Sequence, residues 1–522
     1  NARRRFIMDE TFELEGSRLE DLLENNAERL LNRYAHNIFG AGHMQDVMKK
    51  FAVVQDGEEV VPSLEKLIRE IKDTAGRYGL TDTQAQRITE DMKVVDKLVR
   101  GIPLEDKSVT NEVMRLLRDY QFMRVGGSFG FAQIPEFGNI IGQGGIRAMA
   151  QQMPELNNLF SRAKNGRLNN EFLDELEAAT ALGTERHRRS YSNNLDDYGA
   201  SENVMFNKVD DVFRRGKAVV ADIGLLTTVN TGLQRMSAAV TGQKWLNMAF
   251  RKGPLTKSEL NRFAADSLSP EMLERMFTQM RAHAVTVEGG LGKTVKRMNL
   301  AGWVDQEAAS HFVEALNRVS TRLVQQNDIG QATTWMTKPM ARIFTQFRTF
   351  SIHAYEKQLL HGIHNFDPET FVSWSSAMML AGLTYVGQTH VNAIGRSDKK
   401  EYLEKRLTYE AIGASAFQRA GFASLAPSAI DSVSWGLGGD PLFGFGRTSG
   451  QPANLLTGAA SVGFVTQLGG ATGGISRAIF NSDYDFSQQD ARRLEGLGPF
   501  STAMGIRQTY NLLNSPLPET SR

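Results

Sequence analysis

Three groups of residues have the types and spacing that chemistry needs. The first is the run Gly289, Gly290, Leu291, Gly292, Lys293, Thr294, which matches the end of a phosphate-binding loop. In such a loop backbone N–H groups cradle phosphates and the lysine reaches them. The full pattern needs a glycine five residues before Gly292, where this chain has Val287, and no strand pattern leads into it. The run therefore reads as a glycine turn capping a helix. The second group is His353, His361 and His364, with Glu356 nearby. His361 and His364 share a helical face, but a metal needs more ligands converging there, and Lys357 adjoins Glu356. These read as helix-surface histidines. The third group is the carboxylate pairs Glu58-Glu59, Asp196-Asp197 and Asp210-Asp211. Acid–base work needs carboxyls held in unlike environments, and these lie in polar, solvated stretches. The run Gly142, Gln143, Gly144, Gly145 lacks the third glycine and the βαβ frame of a dinucleotide site. No catalytic residue, cofactor or metal is assigned.

The elements that would position any site are helical. At 522 residues the chain exceeds a single core, so about two to four domains are expected. Its net charge of +1 disfavours a globally electrostatic nucleic-acid binder. Cysteine is absent, which excludes disulfides and thiolate chemistry and leaves no covalent block to threading the chain unfolded. The chain starts at Asn1, so it reads as a piece of something larger, and the Arg-rich start lacks the apolar core of a signal peptide. Ser17 with Glu20, and Thr81 with Gln84, form capping-box patterns ahead of apolar residues at helical spacing. Leu64, Leu67, Ile68 and Ile71 repeat that spacing. Val53–Val61 is a hairpin candidate turning at Asp56-Gly57. From Val109 to Leu159 we expect buried helices broken at Gly126-Gly127 and near Pro135. Gly183–Glu202 reads as a polar linker. Thr256 with Glu259, and Ser269-Pro270, open two more helices.

Two later segments differ in character. From Pro339 to Leu360 the residues Met340, Ile343, Phe344, Phe347, Phe350, Ala354 and Leu359 form one face of an amphipathic helix, and Arg342, Gln346, Arg348, Lys357 and Gln358 the other. Such a face packs into its own domain or a partner subunit; lying on anionic lipid is the second reading. Phe371–Gln388 carries no charge and approaches the roughly 18–20 apolar residues that cross a bilayer. Its small residues suit either close packing in a membrane or a buried core helix. After the charged helix Ser397–Leu407, the glycines between Ala411 and Ser476 argue for irregular backbone over long straight helices. Arg186, Arg188 and Arg189, then Arg214 and Arg215, are basic clusters that read as solvated faces, or as DNA-facing if subunits form a ring.

Several of these segments resemble one family in kind and order. Gln346, Phe347, Arg348 and Phe350 match a QF(K/R)xF core. Lys400, Glu401, Tyr402, Leu403 and Glu404 match a KEYLE helix downstream of it. Ala132-Gln133-Ile134 with Glu136, then Arg147-Ala148, resembles a Gly-rich block upstream. The chain is similar to the C-terminal portion of the large internal virion protein of short-tailed phages, an ejection protein that in many relatives carries an N-terminal lytic transglycosylase domain. The likeness spans residues 132–404; the flanks share texture only. It implies a protein stored in the virion core above the portal and expelled on infection. It then joins other ejected proteins in the host periplasm and inner membrane, as a homo-oligomeric ring through which phage DNA passes. Nothing here matches the transglycosylase domain, so this piece is expected to be structural, not enzymatic.

The expected architecture is all-α and extended, with domains at 1–104, 105–204, 205–366 and 367–522, the last being membrane-prone. Phe344, Phe347, Phe350, Trp374, Met378, Met379, Leu380 and Tyr385 are the expected membrane or subunit contacts. A peptidoglycan lyase with its catalytic domain upstream and a capsid-internal core or scaffold protein are the alternatives.

Overall fold

A computed structural model describes residues 13–14, 17–18, 38, 40–42, 44–55, 58–100, 108–153, 171–180, 204–324, 338–347, 349–440, 442–443, 460–481 and 484–519. The protein is all-α with few strands. It forms two compact units. One comprises residues 1–119, 192–215 and 327–345, the other residues 120–191, 216–326 and 346–522.

In the first unit β1 (Glu13–Leu14) bridges β2 (Ser17–Arg18). Ser17 thus pairs with Leu14 instead of capping a helix; an N-cap backbone is itself extended, so its signal suits a strand end too. Glu20 and the apolar residues after it lie outside the described residues. β3 (Val53–Gln55) and β4 (Glu58–Val60) form the expected hairpin with Val53 opposite Val60. α1 (Leu64–Thr74) starts on Ser63, whose hydroxyl accepts from Lys66 N–H. α2 (Asp82–Val99) starts on the Thr81–Gln84 capping box. α3 (Val109–Val125) follows.

The second unit holds the main core. α3 ends where Gly126 and Gly127 tighten the chain, leading to α4 (Phe129–Gln133) and α5 (Glu136–Gly144). The breaks expected at Gly126-Gly127 and Pro135 are both present. Next come α6 (Glu171–Thr180), α7 (Val204–Ile223), whose residues up to Arg215 belong to the first unit, and α8 (Leu226–Ala249), then α9 (Lys257–Ala265) on the Thr256–Glu259 capping box. α10 (Pro270–His283) follows on the Ser269 N-cap, and α11 is Gln306–Leu323. Leu176, Met236, Val240, Leu246, Met276, Phe312 and Leu316 are buried together between them, with Trp245 edge-on to Phe312. Burying each such side chain is worth about 1.5–3 kcal/mol.

The glycine run at Gly289 caps no helix. It turns a β-hairpin of β5 (Val285–Gly289) and β6 (Gly292–Arg297), with Gly292 at φ 98°. Gln243 and Gln151 hold β6 by its backbone: the Gln243 carbonyl accepts from Val295 N–H, and the Gln151 amide donates to Lys293 O. This hairpin was missed because its apolar alternation covers only Val285 and Val287.

The single aromatic helix expected from Pro339 to Leu360 is instead α12 (Pro339–Thr345), α13 (Thr349–Ala354), a π-helical turn (Tyr355–Leu360) and α14 (His361–Asn365). Phe347 takes φ 65°, which breaks the run, and its ring sits 5.0 Å from that of Phe129. Aromatic contact offsets a left-handed backbone cost of about 1–2 kcal/mol. The π turn adds a residue, which rotates the later face by roughly 100°. Lys357 and Gln358, expected outside, are therefore buried, while Leu360 is exposed.

The remaining helices are α15 (Pro368–Asn392), α16 (Lys399–Arg406), α17 (Tyr409–Arg419), α18 (Ala426–Gly436), α19 (Ala460–Phe480), α20 (Gln488–Glu495) and α21 (Ile506–Asn514). The irregular backbone expected across the glycines is corrected for Gly469, Gly470, Gly473 and Gly474, which lie in α19, a 21-residue helix; Gly444, Gly446 and Gly450 lie outside the described residues. Two of them make room for α20: a Cβ on Gly474 would lie 2.8 Å from Asp490 Oδ1, and one on Gly470 would lie 3.3 Å from Arg493 Cδ.

Candidate functional site

Helix α15 is the centre of the C-terminal third. Its start is fixed by Asp367, which caps it by accepting from Thr370 N–H, with Pro368 in the first turn. Arg262 of α9 clasps the same carboxylate through Nη2 (2.6 Å) and Nε (2.8 Å), and Ser258 donates to it. Burial alone would raise the Asp367 pKa, but the hydrogen bonds from Arg262, Ser258 and Thr370 outweigh it and hold the group well below the usual range. Lys244 of α8 adds a 2.9 Å ion pair to Glu369.

Two turns on, α15 crosses α5 almost in backbone contact. A Cβ on Gly142 would lie 2.2 Å from Ser373 Cα, and one on Gly138 would lie 2.3 Å from Ala377 N. Glycines four apart on one helix thus meet small residues four apart on the other, the geometry that lets helices approach closely. Beside this crossing Glu136 is fully buried. Its Oε2 accepts from Gln358 (2.8 Å) and Asn139 (3.1 Å), and Ser373 donates to Asn139 (2.9 Å). Burial pushes the Glu136 carboxyl up to about 8, against the two amides and Lys357, which pull it down. It is neutral at pH 7 and pins α5, α15 and the π turn together.

The outward faces of these helices are inverted. On α15, Ser373, Thr384, Gln388 and Thr389 point inward, while Phe371, Met379 and Leu383 are 73%, 63% and 61% exposed. On α18, Asp431 is buried and accepts from the N–H groups of Leu442 and Phe443, while Ile430, Val433 and Trp435 face out. On α19, Gly463, Ala471 and Gly474 are buried, and Val465, Leu468, Ile479 and Phe480 are exposed. On α21, Asn511 and Asn514 are buried and Leu512 and Leu513 exposed. Water-facing helices normally show the reverse arrangement. Large apolar side chains outward, with small and polar ones inward, is the arrangement for apolar surroundings.

The residues expected at an interface are divided. Met379 is exposed, and Met378 and Leu380 are half-buried. Trp374 stacks on Phe422 at 4.7 Å, and Tyr385 is buried with its hydroxyl on Arg406 O. Phe344, in α12, is exposed, whereas Phe347 packs on Phe122 and Phe129. Phe350 lies in α13, with its side chain outside the described residues. Of the basic clusters, Arg215 is exposed on α7; Arg186, Arg188, Arg189 and the Arg214 side chain, and the 183–202 linker, lie outside the described residues. Leu383, Val465, Ile479 and Phe480 were not anticipated, although the Gly138–Gly142 spacing and Asp367-Pro368 were signals for the crossing and the helix start.

Of the two readings of Phe371–Gln388, the helix is packed on α5 and α17. Among the described residues, no helix is long and apolar enough to cross a membrane, and no group of three or more His, Asp or Glu is placed to hold a metal. Comparison with protein families, with curated proteins and with solved structures finds no match.

Proposed function

We propose that this chain is a structural subunit of a phage ejection apparatus. It is stored in the virion with other internal proteins, is expelled, and forms part of a ring-shaped conduit for the genome at the host inner membrane. The inverted C-terminal helices carry the reading. α15, α18, α19 and α21 turn small and polar side chains inward and large apolar ones outward. Covering one such side chain is worth about 1.5–3 kcal/mol, so an assembly or a lipid surface that covers several gains affinity. The motif order from Ala132 to Glu404 supplies the family context, and the cysteine-free chain suits passage through a narrow channel. A core or scaffold protein that never meets lipid is the second reading, favoured by the lack of a spanning helix among the described residues. Vesicle flotation separates the two. Under the first reading the full chain floats with vesicles and the double variant Met379→Asp/Leu383→Asp floats less. A chain that stays at the bottom of the gradient supports the second.

A further inference from the structure

Where α15 ends, the chain from Arg396, α16, α20 and α21 come together. Gln508 and Asn511 of α21 donate to the carbonyls of Val391, Asn392 and Ile394 (3.0, 3.2 and 3.0 Å), and Gln488 of α20 donates to the Ser397 hydroxyl (2.9 Å). Four guanidiniums gather at this junction. Those of Arg396 and Arg406 lie 4.2 and 5.5 Å from the centre of the Tyr402 ring. Arg396 grips both oxygens of Asp398 (2.7 and 2.5 Å), and Arg492 approaches the same carboxylate at 3.7 Å. Arg507 is within electrostatic reach of all three and of Tyr402; burial lowers its pKa and the three cations lower it further, against Tyr402. All four arginines are half-buried, neither sealed in the core nor fully solvated. The acids do not balance them. Residues 396–406, α20 and α21 carry eight cationic side chains against five acidic ones, with Glu519 also in reach of Arg492. Of the five, Glu401 serves Lys405 and Asp490 serves Arg493.

Large apolar side chains share these elements. Ile394 stands two residues before Arg396, Leu494 two residues after Arg492, and Leu512 and Leu513 are on the helix of Arg507; all four are exposed. A nucleic-acid face is polar around its cations. Guanidiniums beside exposed leucines instead suit a bilayer surface, where the planar fork takes phosphate oxygens and the apolar side chains enter the acyl boundary. We propose that Arg396, Arg406, Arg492 and Arg507 form a binding site for the phosphate groups of anionic phospholipids. The site rests on the membrane reading given above and adds the headgroup that the C-terminal helices select. Each cation near an anionic surface is worth about a fivefold change in binding.

Flotation of the full chain on vesicles of phosphatidylcholine, with and without phosphatidylglycerol, tests it. The chain should bind the anionic vesicles more tightly. Arg406→Gln/Arg507→Gln should lose roughly 25-fold in binding to them, whereas Lys66→Gln/Lys72→Gln, an equal change of charge on exposed positions of α1, should lose little. Equal binding to both vesicle types, or an equal loss in the two variants, overturns the site and leaves the membrane reading standing. Binding to neither vesicle overturns both. Binding of inorganic phosphate or short duplex DNA to the lipid-free chain, abolished by the same arginine variant, also overturns it, since the cluster then serves free phosphate or nucleic acid. Should that variant fail to fold, phenylglyoxal labelling of the unaltered chain decides. Anionic vesicles should protect Arg406 and Arg507, and labelling equal to that on phosphatidylcholine overturns the proposal.

Discussion

Replacing Gly142 by alanine adds one methyl group where there is no space. Its Cβ would stand 2.2 Å from Ser373 Cα and 2.4 Å from Ser373 N, both backbone atoms of α15 that cannot rotate away. Ordinary contact is about 3.5–4 Å, so α5 and α15 must separate by more than 1 Å locally. A gap of about 0.5–1 Å already forfeits a quarter to a half of each contact along the crossing. The separation also stretches the Ser373–Asn139 bond that supports Glu136. Overpacking of this kind costs about 3 kcal/mol, at the upper end of the usual range. The gain in helix propensity from Gly to Ala returns about 1 kcal/mol, leaving a net loss of about 2 kcal/mol. Gly387 is the internal control. It lies within α15, and a Cβ there meets nothing within 4 Å, so Gly387→Ala keeps the propensity gain and stabilises by about 0.5–1 kcal/mol. Urea denaturation followed by far-UV circular dichroism, with midpoints compared at constant slope, measures both variants. A Gly142→Ala midpoint equal to or above that of the parent refutes the close crossing.

Two further outcomes follow from the buried charges. Burial holds the proton on Glu136 up to about 8 when folded, against an ordinary value of 4.5. Between those values the native state binds more protons than the unfolded chain, so this group removes stability as pH rises. Glu136→Gln should therefore gain on the parent between pH 5 and about 8 in a melting series, and parallel curves would contradict the assignment. Asp367 is shifted the other way, so its contribution is present at neutral pH and is lost on acidification below the ordinary carboxylate range. Asp367→Asn should cost about 2 kcal/mol at pH 7, because Arg262 loses its two-pronged carboxylate partner and keeps only Glu369 at 3.2 Å as a counter-charge. Calorimetry checks this, and a loss under about 0.5 kcal/mol would mean that the clasp adds little.

The helical class and several starts were legible because their signals are local. Thr81–Gln84, Thr256–Glu259 and Ser269-Pro270 each place a capping side chain within three residues of the N–H it serves. The breaks at Gly126-Gly127 and Pro135 are equally local. What could not be read depends on contacts far apart in sequence. The helical period from Met340 to Leu360 is real, but Phe347 finds Phe122 and Phe129 more than two hundred positions away and leaves the helix to reach them. The same limit applies to the small-residue helix α19, where Gly470 and Gly474 read as breakers until α20 is seen packed against them. At the candidate site, the lack of charge across Phe371–Gln388 was visible. Its division into an inward row with Ser373 and Tyr385 and an outward row with Met379 and Leu383 was not, since α5 and α17 decide which side is covered.

The central claim is that the outward residues of the C-terminal helices meet an apolar partner. The cysteine-free chain permits single cysteines carrying an environment-sensitive fluorophore at positions 379, 383, 465 and 479, with 405, exposed on the charged helix α16, as the control. On adding phospholipid vesicles, emission from the four apolar positions should shift to the blue and be quenched by brominated acyl chains. Emission unchanged at all four, in a protein whose circular dichroism matches the parent, would contradict the account.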